Sequence, residues 1–406
     1  MNKNDNKIGY STTTNRYKLY FKHLDYIKYT KDLYNEGLEK YYNLLLNHLD
    51  FLELSNQYCL RELEKLTIIS RDGEIPDDYI DLELPTYFRR AIINQAIGLV
   101  KTYVSLKKNY EKDSKRNQNP NKAIQFNCSP LFYKGMYKDL ESNFISLKLW
   151  NGDSWNWYGM KFKGNLPVEE GIEYFSPTVV LNKKYAMIHI PIKRAVNDVR
   201  PVKERMNDEN LRVCGINFSN SDSLAICVVL DRDGNFLKSK FIKGGKRYQN
   251  DTNKILEKIK LHRQNSKVLK EADHRTYWMK LNNLKKNMSH KVSKEIIDFC
   301  IENDVKVISI AKVDDNKDFE RKVGKYSPIY LKKSIVNDLQ YKAFNSGILI
   351  TTVRSNYTAS KCYKCRANIK RVGDKAICEN GHEGDYFFNT AMNLSKMCLK
   401  KFGLIL

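Results

Sequence analysis

The sequence predicts an α+β protein built from several domains. Three observations predict it: helical spacing of apolar residues in the first third, short strands parted by turns in the middle, and a run of buried strands from about residue 211. With 406 residues, of which 42% are hydrophobic, the chain is long enough for about two or three domains with cores of their own. This composition excludes a disordered tail.

The charge of the chain points to a polyanionic partner. Lysine and arginine total 70 residues against 47 aspartates and glutamates, which gives a net charge of +23. A surplus of this size concentrates polyanions, so nucleic acid is the expected partner ahead of an anionic membrane. No stretch is apolar over the length of a membrane span, and nine scattered cysteines without a regular framework are typical of a reducing compartment. We therefore expect a cytoplasmic protein without membrane contact.

Helices are expected after a short opening strand at about residues 15–24. Leucine and tyrosine recur at three and four positions through roughly 31–65, and a second helix is expected to start at Thr86, directly after a proline. Arg89 and Arg90 fall off the apolar face of that second helix. They are candidates for phosphate contacts, and solvated surface arginines are the alternative interpretation.

Strands dominate the rest of the first half. Residues 112–122 contain no apolar residue, which indicates a linker or a disordered loop. Between about 144 and 190, short apolar stretches are parted by Gly, Asn and Asp turns, as in a small antiparallel barrel or sandwich. From 211 to 242 three consecutive strands are predicted, and this succession is typical of the start of an RNase H-like α/β fold.

A basic strip follows at residues 262–294. It contains nine cations against two acids: Arg263, Lys267, Lys270, Arg275, Lys280, Lys285, Lys286, Lys291 and Lys294 against Glu271 and Asp273. A merely solvated helix usually intersperses acids four residues away from its lysines, and within 262–294 only Glu271 stands in that relation, to Lys267. We therefore expect it to follow a nucleic-acid backbone, with contacts from Arg275, Lys285, Lys286, His290 and Lys291.

A cluster of metal-ligand residues lies near the C-terminus. Cys362 and Cys365 form a C-x2-C pair, and after twelve residues Cys378 and His382 form a C-x3-H pair. Three thiolates and one imidazole suit the tetrahedral geometry of a structural Zn²⁺. The spacing predicts a zinc ribbon at 355–382. If His382 points away, Asn380 is the neighbouring alternative and the site is weaker.

This ribbon and the segment after it resemble the C-terminus of the TnpB family, whose compact type V CRISPR relatives share the layout. In that family the ribbon runs into Asp-Arg-Asp-x-Asn-Ala-Ala, and residues 385–391 here read Asp-Tyr-Phe-Phe-Asn-Thr-Ala. The resemblance covers about residues 211–394 closely and residues 1–200 in domain layout only. It implies a prokaryotic, nucleoid-associated protein derived from a transposon.

The resemblance also implies a division of the chain. A β-rich, wedge-like domain is expected at 1–28 and 115–205, and a helical, recognition-like domain at 29–114. A RuvC-like domain with the RNase H fold is expected at 206–354 and 383–406, with the zinc ribbon at 355–382 inserted into it.

Three positions depart from the family. Its nuclease site uses carboxylates that hold paired metal ions, and the positions that match them here are Asn217, Ala311 and Phe387. Mg²⁺ prefers anionic oxygen ligands, and none of these side chains supplies one. The nearest acids in the sequence are Asp222, Asp314, Asp315 and Asp385. Since a displacement of two residues exceeds what metal coordination tolerates, we expect no catalytic residue and no catalytic Mg²⁺.

The resemblance therefore implies a nuclease-dead protein that binds a guide RNA and double-stranded target DNA, and that represses transcription by occupying a guide-matched target beside a short adjacent motif. One alternative is an active RNA-guided, transposon-associated endonuclease with displaced metal ligands. Another is a CRISPR-type dead effector that recruits transcription machinery such as a sigma factor. A guide-free zinc-ribbon DNA-binding protein or an inactive transposon relic is the remaining alternative.

Overall fold

Two compact units make up the chain in the computed structural model. One consists of Thr12–Arg194, and the other of Ala195–Leu406 together with the residues up to Ser11. We call them the N-terminal and C-terminal units. The structure describes residues 9–70, 72–114, 117–123, 125–168, 171–219, 221–265, 275–312, 328–354 and 357–405. No helix among these residues is long and apolar enough to cross a bilayer.

The N-terminal unit packs three helices against a seven-stranded sheet with the order β2-β3-β4-β1-β7-β5, in which β6 also pairs with β7. Its strands are β1 (Gly9–Tyr20), β2 (Tyr137–Glu141), β3 (Phe144–Trp150), β4 (Trp155–Phe162), β5 (Glu173–Tyr174), β6 (Thr178–Leu181) and β7 (Ala186–Val196). Its helices are α1 (Leu24–Asn47), α2 (Asn56–Thr67) and α3 (Thr86–Lys112).

Local differences from the expected elements have physical reasons. The helical stretch predicted at 31–65 is two helices, because a 3-10 turn at Leu49–Glu53 interrupts it and Ser55 caps the second by accepting a hydrogen bond from the Tyr58 N–H. Helix α3 starts at Thr86 as predicted, although no side chain caps it. Strand β1 begins earlier than expected, and its burial alternates with the period of two that a half-covered strand shows.

The C-terminal unit contains a five-stranded sheet with the order β10-β9-β8-β11-β12. Its elements are α4 (Val202–Arg205), β8 (Arg212–Phe218), β9 (Ser223–Asp231), β10 (Phe236–Lys243), α5 (Gly245–Asn265), α6 (Arg275–Glu302), β11 (Val307–Ala311), α7 (Pro328–Asn345), β12 (Leu349–Val353), β13 (Ile369–Val372), β14 (Lys375–Cys378), β15 (Glu383–Asp385) and α8 (Tyr386–Lys401). Strands β8, β9 and β10 are antiparallel, whereas β11 runs parallel to both β8 and β12.

Helices cover both faces of this sheet. Apolar residues of α6 and α7 form one core with it, and those of α8 form another on the opposite face. Helix α8 lies directly on β8, because a Cβ at Gly215 would come within 2.4 Å of the Ala391 carbonyl. Ser395 fastens this contact by accepting a hydrogen bond from the Gly215 N–H at 2.6 Å. The chain is thus a mixed α/β protein with several sheets, as predicted.

Candidate metal centre and nucleic-acid interface

Three cysteines and one histidine come together beside the small sheet β13-β14-β15, and one of them, Cys378, ends β14. One ligand atom from each of Cys362, Cys365, Cys378 and His382 lies within 4.8 Å of the others. The Sγ atoms of Cys365 and Cys378 are 3.7 Å apart, and His382 Nδ1 is 3.4 Å from Cys378 Sγ. Zn–S bonds of about 2.3 Å in a tetrahedron place two sulfurs about 3.8 Å apart. The donor set and its spacing therefore fit zinc.

Two tight turns bring these ligands together. Between the first two cysteines and β13, Arg366 adopts a left-handed conformation with φ 64°, and the Cys362 N–H donates to the Ala367 carbonyl at 2.9 Å. In the second turn Gly381, with φ 79°, lets the chain reverse so that His382 follows Cys378 closely. A glycine adopts this conformation without a steric cost. His382 therefore faces the Cys378 sulfur, and its role as the fourth ligand stays a prediction.

Hydrogen bonds favour the metal-binding form of one ligand. The backbone N–H of Ala367 lowers the pKa of the Cys365 thiol to about 6, which favours the thiolate. Burial has the opposite effect on Cys378 and raises the pKa of its thiol. A metal ion that binds both sulfurs offsets the second effect, because it favours the thiolate.

Two asparagines of α8 hold the cluster against the rest of the unit. Asn389 accepts a hydrogen bond from the Tyr363 N–H and donates to the Lys361 carbonyl, both at 2.9 Å. Asn393, which is fully buried, donates to the carbonyls of Thr358 and Lys361. Both side chains thus bind backbone groups beside the first two cysteines. The asparagines at the start of α8 therefore anchor the segment that carries the first two cysteines, a role that their spacing in the sequence did not indicate.

The three uncharged positions singled out in the sequence also lie near one another. Ile216 and Ile310 are partners in the parallel pair β8/β11, so Asn217 and Ala311 follow at the same carboxyl end of neighbouring strands. Asn217 Nδ2 donates to the Phe387 carbonyl at 3.3 Å. Phe387 lies in the first turn of α8 with its ring 9% exposed. These three side chains bring an amide, a methyl group and a ring to this place.

A cation covers the Phe387 ring. The Arg371 guanidinium lies 4.8 Å from the centre of that ring and 4.4 Å from the centre of the Tyr386 ring. The acid nearest in sequence, Asp385, caps α8 because its Oδ1 accepts the Phe388 N–H at 2.7 Å. Asp314 and Asp315 lie outside the described residues. Asp385 therefore has a structural use that does not involve a metal.

The basic strip lies on the end of α5 and on α6. Arg275, Lys286 and Lys291 are exposed, whereas Lys285 and His290 are half-buried. His290 Nδ1 is 3.2 Å from an Asp338 carboxylate oxygen, so its position depends on α7. Lys267, Lys270, Glu271 and Asp273 lie outside the described residues. The exposed cations of α6 are thus accessible to a phosphate backbone, and contact with nucleic acid stays a prediction.

Arg89 and Arg90 have partners inside the N-terminal unit. Arg90 binds both carboxylate oxygens of Glu64 on α2, at 2.9 and 3.2 Å, and this interaction raises the pKa of the guanidinium. Arg89 donates to the Leu84 carbonyl at 3.1 Å. These bonds give both arginines a role in holding α3. Their proposed phosphate contacts stay a prediction.

Sequence reasoning missed a basic groove in the C-terminal unit. It has a volume of about 450 Å³, and its charged lining consists of Lys312, Arg354, Lys400 and Lys401. The four cations come from the ends of β11 and β12 and from the last turn of α8, which are far apart in the chain. The Lys400-Lys401 doublet was the only local signal, and a doublet at a helix end is common for reasons of helix dipole alone.

These features define a class of fold. The structure is similar over nearly all of its length to a mini-RNA-guided endonuclease, CRISPR-Cas_phi3, with a TM-score of 0.55 and 8% sequence identity, covering 96% of this chain and 93% of that one. The chain therefore has the fold of the compact type V CRISPR effectors. The resemblance predicted from its C-terminal motifs is confirmed at this level.

Further comparisons are weaker or more local. A Cas12f1–sgRNA–target DNA complex matches with a TM-score of 0.49 and 14% identity, covering 91% of this chain and 81% of that one. CasPhi-2 (Cas12j) bound to crRNA matches with a TM-score of 0.48 and 7% identity, covering 96% and 98%. In sequence, the Aq_aa04 family model matches residues 11–151. No curated protein matches the sequence significantly.

Proposed function

We propose that this chain is an RNA-guided DNA-binding protein that does not cut its target and that represses transcription by occupying it beside a short adjacent motif. In this proposal the C-terminal unit is a RuvC-like domain with the RNase H fold, and Cys362, Cys365, Cys378 and His382 hold a structural Zn²⁺. The observation that carries the proposal is the meeting of three uncharged side chains where a nuclease needs carboxylates.

The absence of cleavage follows from electrostatics. A two-metal nuclease holds its ions about 4 Å apart, and carboxylates must offset their charge. Asn217, Ala311 and Phe387 supply no negative charge, and the Arg371 cation over the Phe387 ring repels a divalent ion. Asp385 is engaged as the cap of α8. The described residues at this place thus favour an anion over a metal ion.

Binding to nucleic acid follows from charge and fold. The chain has a net charge of +23, and its cations include the exposed ones of α6 and the four that line the basic groove beside α8. Phosphate contacts of this kind position a protein without reading sequence. The solved structures with this fold include an RNA-guided endonuclease, so pairing with a guide RNA is the source of sequence specificity that we propose.

Co-purifying RNA tests the guide. Protein purified from its own host should carry a structured RNA, seen as a raised ratio of absorbance at 260 nm to that at 280 nm. Sequencing that RNA identifies the guide segment. The complex should then bind duplex DNA that matches the guide beside a short motif, and a changed guide should redirect it. Equal sequence-specific binding by RNase-treated protein would contradict the proposal and indicate a guide-free DNA-binding protein.

The same complex tests cleavage. Matched duplex and single-stranded DNA should stay intact with Mg²⁺ or Mn²⁺. Cleavage that disappears in Asp385→Asn or Asp314→Asn protein would identify an active endonuclease with displaced ligands. Repression is tested with a reporter whose promoter carries the guide-matched site: expression should fall with wild-type protein and guide. An increase that depends on a co-purifying sigma factor would indicate recruitment of the transcription machinery instead.

A further inference from the structure

A cleft opens beside the three uncharged positions. It has a volume of about 490 Å³, and Phe218, Ser219, Lys332, Arg371 and Phe387 are among the residues that line it. Phe218 follows Asn217 at the end of β8, and Phe387 begins α8. The cleft therefore opens next to the carboxyl end of β8 and the start of α8, beside Asn217 and at Phe387.

One of its cations comes from α7. Lys332 Nζ lies 5.8 Å from the centre of the Phe218 ring, and burial lowers the pKa of this ammonium group. Within the ranges that the structure describes, no carboxylate forms an ion pair with Lys332. A partly desolvated ammonium without a counter-ion gains more from an anionic ligand than a fully solvated lysine does.

The other cation comes from β13. Arg371 Nε donates to the Gly373 carbonyl at 2.7 Å, and its Nη2 lies 3.7 Å from an Asp374 carboxylate oxygen. Asp374 is the acid that lines the cleft. A guanidinium carries five N–H donors, so these two partners leave others for a phosphate. The guanidinium packs against the rings of Tyr386 and Phe387.

Two hydroxyl groups complete the polar side of the cleft. Ser219 Oγ donates to Ser221 Oγ at 2.8 Å and accepts the Ser221 N–H at 2.9 Å. The Ser221 hydroxyl also lines the cleft and has a proton to donate. The lining thus combines two cations and a hydroxyl donor with two aromatic rings. Cations and hydroxyls suit phosphate oxygens, and rings suit the sugar and base of an unpaired nucleotide.

We propose that this cleft binds a phosphodiester group of single-stranded DNA without a divalent metal, with Lys332 and Arg371 as the cations that contact the phosphate. The inference rests on the proposed function, because it assigns the DNA strand to the domain that no longer cuts it. A nuclease that uses metal ions releases its product after cleavage. A cleft with covalently attached cations retains the intact strand, and this retention serves a protein that acts by occupancy.

The test uses a fluorescein-labelled dT20 oligonucleotide and full-length protein with EDTA. Fluorescence anisotropy is measured over a series of salt concentrations for wild-type protein and for Lys332→Met with Arg371→Gln. The double variant should bind about tenfold more weakly, and the slope of log affinity against log salt should fall by about 1.4, since each contact to a single strand contributes about 0.7. Adding Mg²⁺ at constant ionic strength should leave wild-type affinity unchanged.

Two matched variants control for charge and folding. Lys370→Gln with Lys375→Gln removes two exposed cations of β13 and β14 that lie outside the cleft. The salt slope of this control should fall by less than about half of the change expected for the cleft variant. Lys332→Arg with Arg371→Lys keeps both charges and should retain most of the affinity. Zinc content and thermal melting verify that every variant is folded.

The contradicting outcomes are distinct. If the cleft variant keeps the wild-type slope, or if wild-type binding requires Mg²⁺, the cleft is not a metal-free phosphate site. If the variant loses affinity for an rU20 probe but not for dT20, the cleft takes RNA and the assignment to DNA is wrong. Failure of the wild-type RNA complex to bind guide-matched duplex contradicts the proposed function instead, whatever dT20 shows.

Discussion

The metal cluster and the three uncharged positions both adjoin the start of α8. They differ in whether folding is expected to depend on a metal ion. The cluster has four donors at zinc-binding distances, held by Asn389 and Asn393. The neighbouring positions pack as part of an apolar core, with Phe387 among its members. A zinc ribbon is too small to fold without its metal, whereas strands β8 and β11 pair with or without carboxylates at their ends. We therefore expect folding to depend on the donors of the cluster and not on carboxylates at the strand ends.

The largest expected effect is on the metal cluster. Cys378→Ser removes one of three thiolates, and zinc content should fall from about one ion per chain to near zero, because structural sites of this kind bind zinc with about 10–16 kcal/mol at neutral pH. Elemental analysis of protein purified without chelator measures it. Cys128→Ser, outside the cluster, should keep its zinc. Correctly folded wild-type protein without zinc would contradict the site.

The uncharged positions should respond through packing. Phe387→Asp removes a buried ring and should lower the free energy of unfolding by about 3–5 kcal/mol, whereas Phe387→Leu should cost less than about 1.5 kcal/mol. Urea denaturation measures both. If the aspartate variant is as stable as the wild type and its melting temperature rises with Mg²⁺, a metal site remains at Phe387. The difference from the metal cluster would then be wrong.

Removing the hydrogen bonds by which α8 holds the metal cluster should have a smaller effect on the free energy of unfolding. Asn389→Ala leaves the Tyr363 N–H and the Lys361 carbonyl without their partner, and the cost should be about 1–3 kcal/mol of unfolding free energy. Zinc should also leave faster when a chelator is added. Asn380→Ala changes an exposed residue of the second turn and should alter neither quantity. Zinc loss in Asn380→Ala would instead identify that residue as a ligand.

The smallest effect is expected at the exposed cations of α6. Lys286→Ala and Lys291→Ala should each reduce the salt slope of duplex DNA binding by about 0.9 and weaken all targets equally, because phosphate contacts carry no sequence information. Gel-shift titrations with two different guide-matched targets measure this. Arg90→Ala should instead lower stability, since Glu64 loses its partner. A loss confined to one target would indicate base reading by α6.

The sequence by itself determined the features that depend on near neighbours. The C-x2-C and C-x3-H spacings identified all four candidate metal ligands, because the two turns that bring them together are local. Helical periodicity located α3, and short apolar stretches between turns located most of the strands of 144–190 and 211–242. Local signals were weaker where a turn interrupts a helical pattern, as at Leu49–Glu53 between α1 and α2.

Only the tertiary structure decided which distant residues share a site. Parallel pairing of β8 with β11 places Asn217 beside Ala311, and packing of α8 adds Phe387, which lies 170 residues away from Asn217. Lys332 and Arg371 enter the same cleft from α7 and β13, and no local pattern relates them. Contacts of this kind follow from strand pairing and helix packing over the whole unit, so a sequence pattern within any short window cannot contain them.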